Sequence, residues 1–222
     1  MPKATILFGD SLSALKSMDS NTFDLVLSDP PYFEYKTSHR KDKVSKLSKP
    51  IMYQERKEQI EAIRECIRVL KQDKAFFLFT NWEQDWWMQE ALGSLLRNKI
   101  IWVKNHWTAG DLRGSFGNQY EVILLGAKGE WKYKAKRESD VWCIDRVGNN
   151  RTHPTEKPVE LYKKIIENST EEGDLILDPY GGSFASSIAA LELNRDIISL
   201  EIDTDYYNAG LKRIKDWRDN AS

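Results

Sequence analysis

The chain has 222 residues, of which 41% are hydrophobic and 30% charged, and this size and balance are typical of one globular domain. No apolar run approaches the roughly 18 to 20 residues that span a bilayer. Residues 1–5 lack the design of a signal peptide, so we expect a cytoplasmic location and no membrane partner. Two cysteines, Cys66 and Cys143, argue against a disulfide framework and a metal site. With a net charge of −1, overall charge does not indicate nucleic-acid binding.

Short apolar runs alternate with helical patterns along the chain. The apolar runs predict strands at residues 5–8, 23–28, 75–80, 99–103, 121–125, 174–177 and 196–200. The helical patterns cover residues 55–70, 86–96, 159–167, 183–193 and 204–217. This alternation predicts an α/β fold in which residues 1–222 form one domain. Its core would be a mostly parallel, seven-stranded sheet with helices on both faces.

Two segments, residues 33–52 and 127–152, have weak periodicity and are predicted to be long loops. Long loops in compact domains are usually either functional or disordered. Both segments are basic, and such charges can contact the phosphates of a nucleic acid. The alternative is that both are solvated surface loops. The charges of interest are Arg40, Lys41, Lys43 and Lys46 in the first segment and Lys132, Lys134 and Lys136 in the second.

The first motif with chemical content is Ser28-Asp29-Pro30-Pro31-Tyr32, directly after a predicted buried strand. Ligands of an open parallel sheet bind beyond the carboxyl ends of its strands, and two prolines leave the backbone few conformations. The turn presents a carboxylate and a carbonyl, which can accept hydrogen bonds from an NH2 group. Its aromatic ring can stack on a planar base. The alternative is a structural Pro-Pro turn with a packing tyrosine.

The second motif is a glycine turn between a strand and a helix, with the sequence Asp178-Pro179-Tyr180-Gly181-Gly182-Ser183. Glycines let a ligand approach the backbone, and a helix N-terminus offers free N–H groups. Glu201 ends the next strand, 23 residues after Asp178, close to the roughly 20-residue spacing of an acid that binds a ribose hydroxyl. The sequence contains neither the G-x-G-x-x-G motif of dinucleotide sites nor a P-loop.

The third motif is His153-Pro154-Thr155-Glu156-Lys157-Pro158, which leads into a predicted helix. Histidine, threonine and lysine at a helix start can bind the carboxylate of an amino-acid-like ligand. A lone histidine is more often structural, so this motif by itself leaves both interpretations open.

Together and in this order, the three motifs resemble those of the S-adenosylmethionine (AdoMet)-dependent DNA amino-methyltransferases. The Asp-Pro-Pro-Tyr motif comes first and the glycine turn last, which is similar to the beta class of that family. The resemblance runs from Gly9-Asp10-Ser11 to the helix that contains Tyr206-Tyr207. It implies a Rossmann-like methyltransferase fold, AdoMet as cofactor and double-stranded DNA as partner, with adenine N6 as the methylated atom.

The resemblance also implies roles for individual residues. The catalytic turn would consist of Asp29, Pro30, Pro31 and Tyr32, with Asp29 and the Pro30 carbonyl holding the amine and Tyr32 stacking on the base. The adenosine half of the cofactor would contact Asp10, Ser11, Glu201, Ile202 and Asp203, with Glu201 on the ribose. The methionine half would contact Asp29, Asp178, Tyr180, Gly181, Gly182 and Ser183, and His153, Thr155 and Lys157 would close over it.

Two features depart from the family pattern. Relatives usually carry Gly-Ser-Gly in the cofactor turn, where this chain has Gly182-Ser183-Phe184, and we expect Phe184 to crowd the helix start. The region that reads the target sequence would lie between the strand at residues 121–125 and His153. It has only about 25 residues, so target recognition would be short or shared with another subunit.

Several alternatives stay open. Relatives that methylate cytosine N4 more often have Ser in place of Asp29, so adenine is favoured over cytosine. The order of the motifs disfavours methylation of RNA or of a protein amide. The intact turn at residues 29–32 disfavours a DNA-binding module without catalysis. A homodimer and a cognate restriction enzyme are partners on which the sequence does not decide.

Overall fold

The computed structural model describes residues 2–31, 54–107, 113–148, 153 and 155–221. Tyr32, the predicted loop at residues 33–52 and its basic residues Arg40, Lys41, Lys43 and Lys46 lie outside these ranges. Within the described ranges, no helix is both long and apolar enough to cross a membrane.

Strands and helices alternate along the chain. The strands are β1 (Ala4–Phe8), β2 (Phe23–Ser28), β3 (Leu70–Thr80), β4 (Leu96–Val103), β5 (Tyr120–Lys128), β6 (Val141–Cys143), β7 (Leu175–Asp178) and β8 (Asp196–Glu201). The α-helices are α1 (Ser11–Ser17), α2 (Arg56–Val69), α3 (Asp85–Leu92), α4 (Val159–Ser169), α5 (Ala185–Glu192) and α6 (Thr204–Ala221), and Gly93–Leu95 forms a 3-10 helix.

The strands form one sheet in the order β1-β8-β7-β2-β3-β5-β4-β6. Neighbouring strands are parallel except at β5, which is antiparallel to both β3 and β4. β2 and β7 lie side by side, with Leu25 opposite Ile176 and Val26 opposite Leu177. Because parallel neighbours end at the same edge of a sheet, the residues that follow β2, β7 and β8 meet at one carboxyl edge.

Helices cover both faces of the sheet. Leu25 and Leu27 of β2 pack in one core with residues of α4 and α5, whereas Phe23 and Val26 pack in a second core with residues of α1, α2 and α3. All residues of β2 are buried. A strand covered on both faces has a nearly continuous apolar sequence, and this is why the sequence identified β2 so closely.

The predicted α/β fold with a mostly parallel sheet is confirmed, but two elements were not predicted. α1 has only seven residues, too few to show a helical period, and the Asp10 side chain caps it by accepting a hydrogen bond from the N–H of Ser13. β6 has three residues and lies inside the segment predicted as a loop at residues 127–152. It forms because it pairs with β4, and the sheet therefore has eight strands within the described residues rather than seven.

Phe184, the residue before α5, belongs to the core. Its side chain is fully buried and packs with Ile188, Leu191 and Ile214. Its backbone is left-handed, with φ +55°, which costs a non-glycine residue roughly 1–2 kcal/mol. The ring fills the space opposite α6, where a Cβ on Gly210 would lie 1.7 Å from its Cδ2 atom. The ring therefore points into the core and also packs against Gly181, where a Cβ would lie 2.4 Å from its Cε1 atom.

Two substitutions separate these opposing effects. Phe184→Ala removes the ring but keeps the left-handed strain, so we expect the free energy of unfolding to fall by about 3–5 kcal/mol. Phe184→Gly removes both the ring and the strain, and it should be more stable than the alanine variant by about 1 kcal/mol. In a helix, alanine is normally the more stable of the two residues. Denaturant unfolding measures both. Phe116→Ala is the control, because Phe116 is 97% exposed. Equal stability of parent and Phe184→Ala would contradict the core assignment.

Candidate active site

A cleft of about 310 Å³ opens at the carboxyl edge of the sheet, beyond the ends of β2, β7 and β8. The three sequence motifs meet in its wall, together with the start of α1 and residues after β8. Among the predicted site residues, the wall includes Asp10, Ser11, Asp29, Pro30, Pro31, His153, Thr155, Lys157, Tyr180, Gly181, Gly182, Ser183, Glu201, Ile202 and Asp203. Asp178 is not part of the wall, and Tyr32 lies outside the described residues.

The catalytic turn predicted from the sequence follows directly from β2. Proline lacks an N–H group, so the turn at Pro30 and Pro31 can be held only through its carbonyls and through its side chains. Gln59 of α2, which is buried, donates from Nε2 to the carbonyl of Pro31 at 2.7 Å. This bond anchors the end of the described turn to α2.

A buried lysine joins the catalytic turn to the centre of the sheet. The Lys157 ammonium, with a side chain only 4% exposed, lies 2.7 Å from Oδ2 of Asp29 and 3.3 Å from Oε2 of Glu121. Lys104 pairs with the other Glu121 oxygen at 3.1 Å. Burial alone would lower the pKa of Lys157, but Asp29 and Glu121 raise it on balance. Burial likewise opposes the charge of Glu121, yet Lys157 and Lys104 lower its pKa overall.

The glycine turn after β7 is held by main-chain contacts. The N–H of Gly181 donates to the carbonyl of Leu200 at 2.7 Å. Gly182 has φ +51°, a left-handed conformation that favours glycine. Its N–H donates to Oε2 of Glu201 at 2.8 Å. The hydrogen bond from Gly182 therefore joins the turn to the acid at the end of β8.

Glu201 is a carboxylate held by the backbone. Its Oε1 atom accepts hydrogen bonds from the N–H groups of Ile202 and Asp203. Burial raises its pKa, although these N–H groups and that of Gly182 act in the opposite direction. A carboxylate has about four acceptor positions, so an oxygen of Glu201 can accept a further hydrogen bond from a hydroxyl of a ligand.

Asp178 lies beneath the glycine turn rather than in the cleft wall. Its side chain is buried and accepts hydrogen bonds from the hydroxyl of Ser186 and from the N–H of Tyr180. Burial raises the pKa of Asp178 to about 7 against these two bonds, and the charges of Asp29 and Glu201 raise it further. The structure thus gives Asp178 contacts that shape the turn.

Two short polar segments of the cleft wall are held by local contacts. The Ser11 hydroxyl donates to the carbonyl of Pro179, which fixes the start of α1 against the glycine turn. The N–H of Thr155 donates to Nδ1 of His153 at 3.3 Å. The His153 ring contacts the ring of Tyr206 edge-to-face at 4.2 Å.

Further residues of the wall were not predicted as site residues. They are Leu12, Gln54, Glu58, Glu156, Tyr162, Pro179, Leu200 and Tyr206. Tyr162 and Tyr206 lie in helices that directly follow predicted site motifs, and helical spacing from those motifs was the available signal. Gln54 and Glu58 precede or begin α2 and share no pattern with the other motifs.

The basic residues after β5 lie at the opposite edge of the sheet. β5 is antiparallel to β3, so its carboxyl end is at the edge where the parallel strands begin. The Lys134 ammonium pairs with Glu171 at 2.7 Å, and the backbone N–H of Lys134 donates to the carbonyl of Asn168. Lys132 and Lys136 are exposed nearby in the chain. The structure thus separates Lys134 from the cleft.

The geometry of the cleft fits a ligand that combines a nucleoside with a cationic amino-acid tail. A ribose can be bound by Glu201, and the glycine turn allows close approach to the backbone. The acids Asp10, Asp29 and Asp203 suit positive charge on the ligand. These features, on this fold, define an AdoMet-dependent methyltransferase. Among the described residues, no group of three or more His, Cys, Asp or Glu side chains could hold a metal ion.

Comparison with known proteins assigns the family. A family model for DNA methylases of the N6/N4 methyltransferase type matches residues 23–212, and the chain belongs to this family. It is 28% identical to the DNA adenine methyltransferase YhdJ of Escherichia coli K12, with 95% of this chain and 82% of the relative covered.

Two solved structures share the fold. The complex of M1.HpyAVI with SAM superposes with a TM-score of 0.74 at 22% identity and covers 96% of this chain and 99% of that one. The cytosine-N4-specific PvuII DNA methyltransferase gives a TM-score of 0.73 at 18% identity, covering 99% of this chain and 92% of that one. AdoMet is the cofactor of the DNA methylase family to which the chain belongs.

Removing the buried ammonium tests the charge arrangement. In Lys157→Met, Asp29 and Glu121 lose their shared cation, and we expect the free energy of unfolding to fall by about 3–5 kcal/mol near neutral pH. In the parent, the pKa of Glu121 is lowered, so its ionised form stabilises the fold at pH values above the pKa of the unfolded state. This stabilisation is lost on acidification. In the variant, Asp29 loses its cation and Glu121 keeps only Lys104, so the loss of stability on acidification should be smaller than in the parent.

Thermal melting from pH 8 to pH 3 measures this difference, because the stabilisation by Glu121 is lost only below its unfolded pKa of 4.5. The raised pKa of Asp178 affects the parent and the variant alike. Lys134→Met is the matched control, because its ion pair with Glu171 is exposed and should contribute less than about 1 kcal/mol. Similar losses in both variants, or the same pH dependence in Lys157→Met and the parent, would contradict the proposed role of the lysine.

Proposed function

We propose that the protein methylates adenine N6 at a specific site in double-stranded DNA. The observation that carries the proposal is Asp29, a carboxylate in an Asp-Pro-Pro-Tyr turn at the cofactor cleft. The adenine methyltransferase YhdJ, which aligns with nearly the whole chain, supports adenine as the target. The family itself includes enzymes for both bases.

The catalytic turn would act by accepting hydrogen bonds. An exocyclic amine is a poor nucleophile, because its lone pair is delocalised into the ring. Acceptors on both of its N–H groups favour the pyramidal form, in which the lone pair is available. In the proposed mechanism, the Asp29 carboxylate and the Pro30 carbonyl are these acceptors. Lys157, held between Asp29 and Glu121, fixes the position of the carboxylate.

The cofactor supplies, when bound, a methyl group that its sulfonium charge has already activated. The contribution of the protein is to hold the amine and this methyl group in line, which can account for much of the barrier reduction. Glu201 and the glycine turn would position the nucleoside, and the segment at His153, Thr155 and Lys157 would close over the amino-acid tail. Asp178 would support the turn from below.

The target base must leave the duplex to reach the cleft. Flipping a base costs a few kcal/mol, and stacking on an aromatic ring returns about 1–3 kcal/mol. We assign this stacking to Tyr32, which follows Pro31 in the sequence. Phosphate contacts by basic residues would offset the remaining cost.

Cytosine N4 is the second candidate target. The PvuII enzyme, which is cytosine-N4-specific, shares the fold over nearly the whole chain, and both amines need the same acceptors. The carboxylate at position 29 favours adenine. A duplex library incubated with the protein and labelled AdoMet, then digested to nucleosides, distinguishes N6-methyladenine from N4-methylcytosine. Label only in cytosine would overturn the adenine assignment, and no label in DNA would overturn the proposed function.

Variants of the turn test the mechanism. Asp29→Ala should abolish methyl transfer with AdoMet affinity largely retained, because the side-chain acceptor for the amine is lost. Tyr32→Ala should also be inactive, whereas Tyr32→Phe should remain active, since the phenyl ring still stacks. Turnover is measured with labelled AdoMet, and calorimetry confirms cofactor binding. Near-normal turnover of Asp29→Ala would refute this mechanism.

We further propose that residues 33–52 and 127–152 contribute the phosphate contacts. The first group, Lys41, Lys43 and Lys46, follows the catalytic turn closely in the sequence. In the second group, Lys132, Lys134 and Lys136, one lysine is already paired with Glu171. The proposal therefore gives the first group the larger share of DNA affinity and the second the smaller.

Salt dependence of DNA binding tests this order. Neutralising Lys41, Lys43 and Lys46 together should weaken binding to every sequence and flatten the plot of log affinity against log salt by about 0.9 for each lost phosphate contact. The triple variant at Lys132, Lys134 and Lys136 should have a smaller effect on the slope. Filter binding over a salt series, with AdoMet affinity as the control, measures both. Unchanged slopes in both variants would show that these residues are solvated surface only.

A further inference from the structure

Tyr162 of α4 is a wall residue of the cleft to which neither the sequence motifs nor the proposed mechanism gives a task. Its side chain is almost completely buried, at 6% exposure, and it borders the cleft next to the Lys157 segment. Its ring packs against Phe79 of β3, with the centroids 5.5 Å apart. The ring is thus fixed by the core, and the hydroxyl has a defined position.

The Tyr162 hydroxyl has no hydrogen-bond partner among the described residues. None of the hydrogen bonds in the described part of the chain includes it. It is also not sealed inside the protein, because it is not one of the fully enclosed side-chain atoms without a partner in the described part of the chain. A buried polar group normally has a partner. Tyr162 borders the cleft, which is the space in which a partner for its hydroxyl can lie.

The electrostatic surroundings make this hydroxyl a donor. Burial raises the pKa of Tyr162 well above the usual value for a phenol, and the charges of Asp29, Asp178, Glu121 and Glu156 raise it further. The phenol therefore keeps its proton under all ordinary conditions. A neutral phenol among acids offers a ligand an O–H donor without adding a charge.

The cofactor carries an acceptor that the rest of the cleft serves poorly. Its α-carboxylate is an anion, whereas the cleft wall is rich in carboxylates such as Asp10, Asp29 and Glu201. The ammonium of Lys157 is already shared between two acids. A helix N-terminus favours negative charge. The N-cap residue of α4 is Pro158, whose side chain has no polar atom that could cap the helix. Tyr162 lies within the first turns of that helix.

We infer that the Tyr162 hydroxyl donates a hydrogen bond to the α-carboxylate of AdoMet and so binds the amino-acid end of the cofactor. The inference depends on AdoMet as the cofactor and is independent of which base is methylated. Tyr162 therefore selects ligands that carry the amino-acid tail over ligands that contain only the nucleoside.

Two ligands that differ in the tail test the inference by calorimetry on the full chain. S-adenosylhomocysteine carries the α-carboxylate, whereas methylthioadenosine has the same thioether and nucleoside without it. Tyr162→Phe removes only the hydroxyl. The variant should bind S-adenosylhomocysteine about tenfold more weakly than the parent or worse, as expected for a lost hydrogen bond to a charged group. Methylthioadenosine should bind both proteins equally.

Tyr133→Phe is the matched control. Tyr133 contacts Trp131 edge-to-face and does not border the cleft. The affinity of the Tyr133→Phe variant for both ligands should therefore equal that of the parent. Equal losses of both ligands in Tyr162→Phe would indicate a general effect on the cleft and overturn the inference. Unchanged affinity for S-adenosylhomocysteine would overturn it as well. In that case a selective loss of turnover on DNA would place the hydroxyl at the target base.

Discussion

The active site depends on the parallel pairing of β2 with β7. These strands are far apart in the sequence, yet Leu25 lies opposite Ile176 and Val26 opposite Leu177. The pairing places the Asp-Pro-Pro turn and the glycine turn next to each other at one edge of the sheet. β8 then adds Glu201 on the far side of β7. Each turn alone is a short loop, and together they enclose a space large enough for a nucleoside and a tail.

Charge is the second constraint on the site. The cleft gathers several carboxylates, and Lys157 in its wall joins Asp29 to Glu121. Burying charges is costly unless they are paired. The pairing with Lys157 therefore allows Asp29 to stay ionised, so that its carboxylate can accept a hydrogen bond from an amine. Asp178 shows the opposite solution, because hydroxyl and N–H donors alone surround it and burial raises its pKa to about 7. Two Asp-Pro turns of similar sequence therefore hold carboxylates of different character.

Local sequence patterns predicted what local interactions determine. The apolar run of β2 and the three motifs were identified because strand burial and turn chemistry leave direct traces in the sequence. The distinction between Asp29 and Asp178 could not be predicted, since each follows a strand and precedes a proline, and only contacts with Lys157 or Ser186 separate them. β6 was missed because its three residues form a strand through pairing with β4. Tyr162 resembled an ordinary core residue.

Phe184 and Gly210 illustrate how two locally unfavourable residues can depend on each other. A left-handed phenylalanine and a glycine inside α6 each carry a conformational cost. The ring occupies the space that any side chain at position 210 would need, since a Cβ there would lie 1.7 Å from it. Position 210 therefore cannot accept a side chain while the Phe184 ring is present. Lineages that regain a small residue at position 184 become free to accept a better helix former at position 210, and the two positions should covary among close relatives.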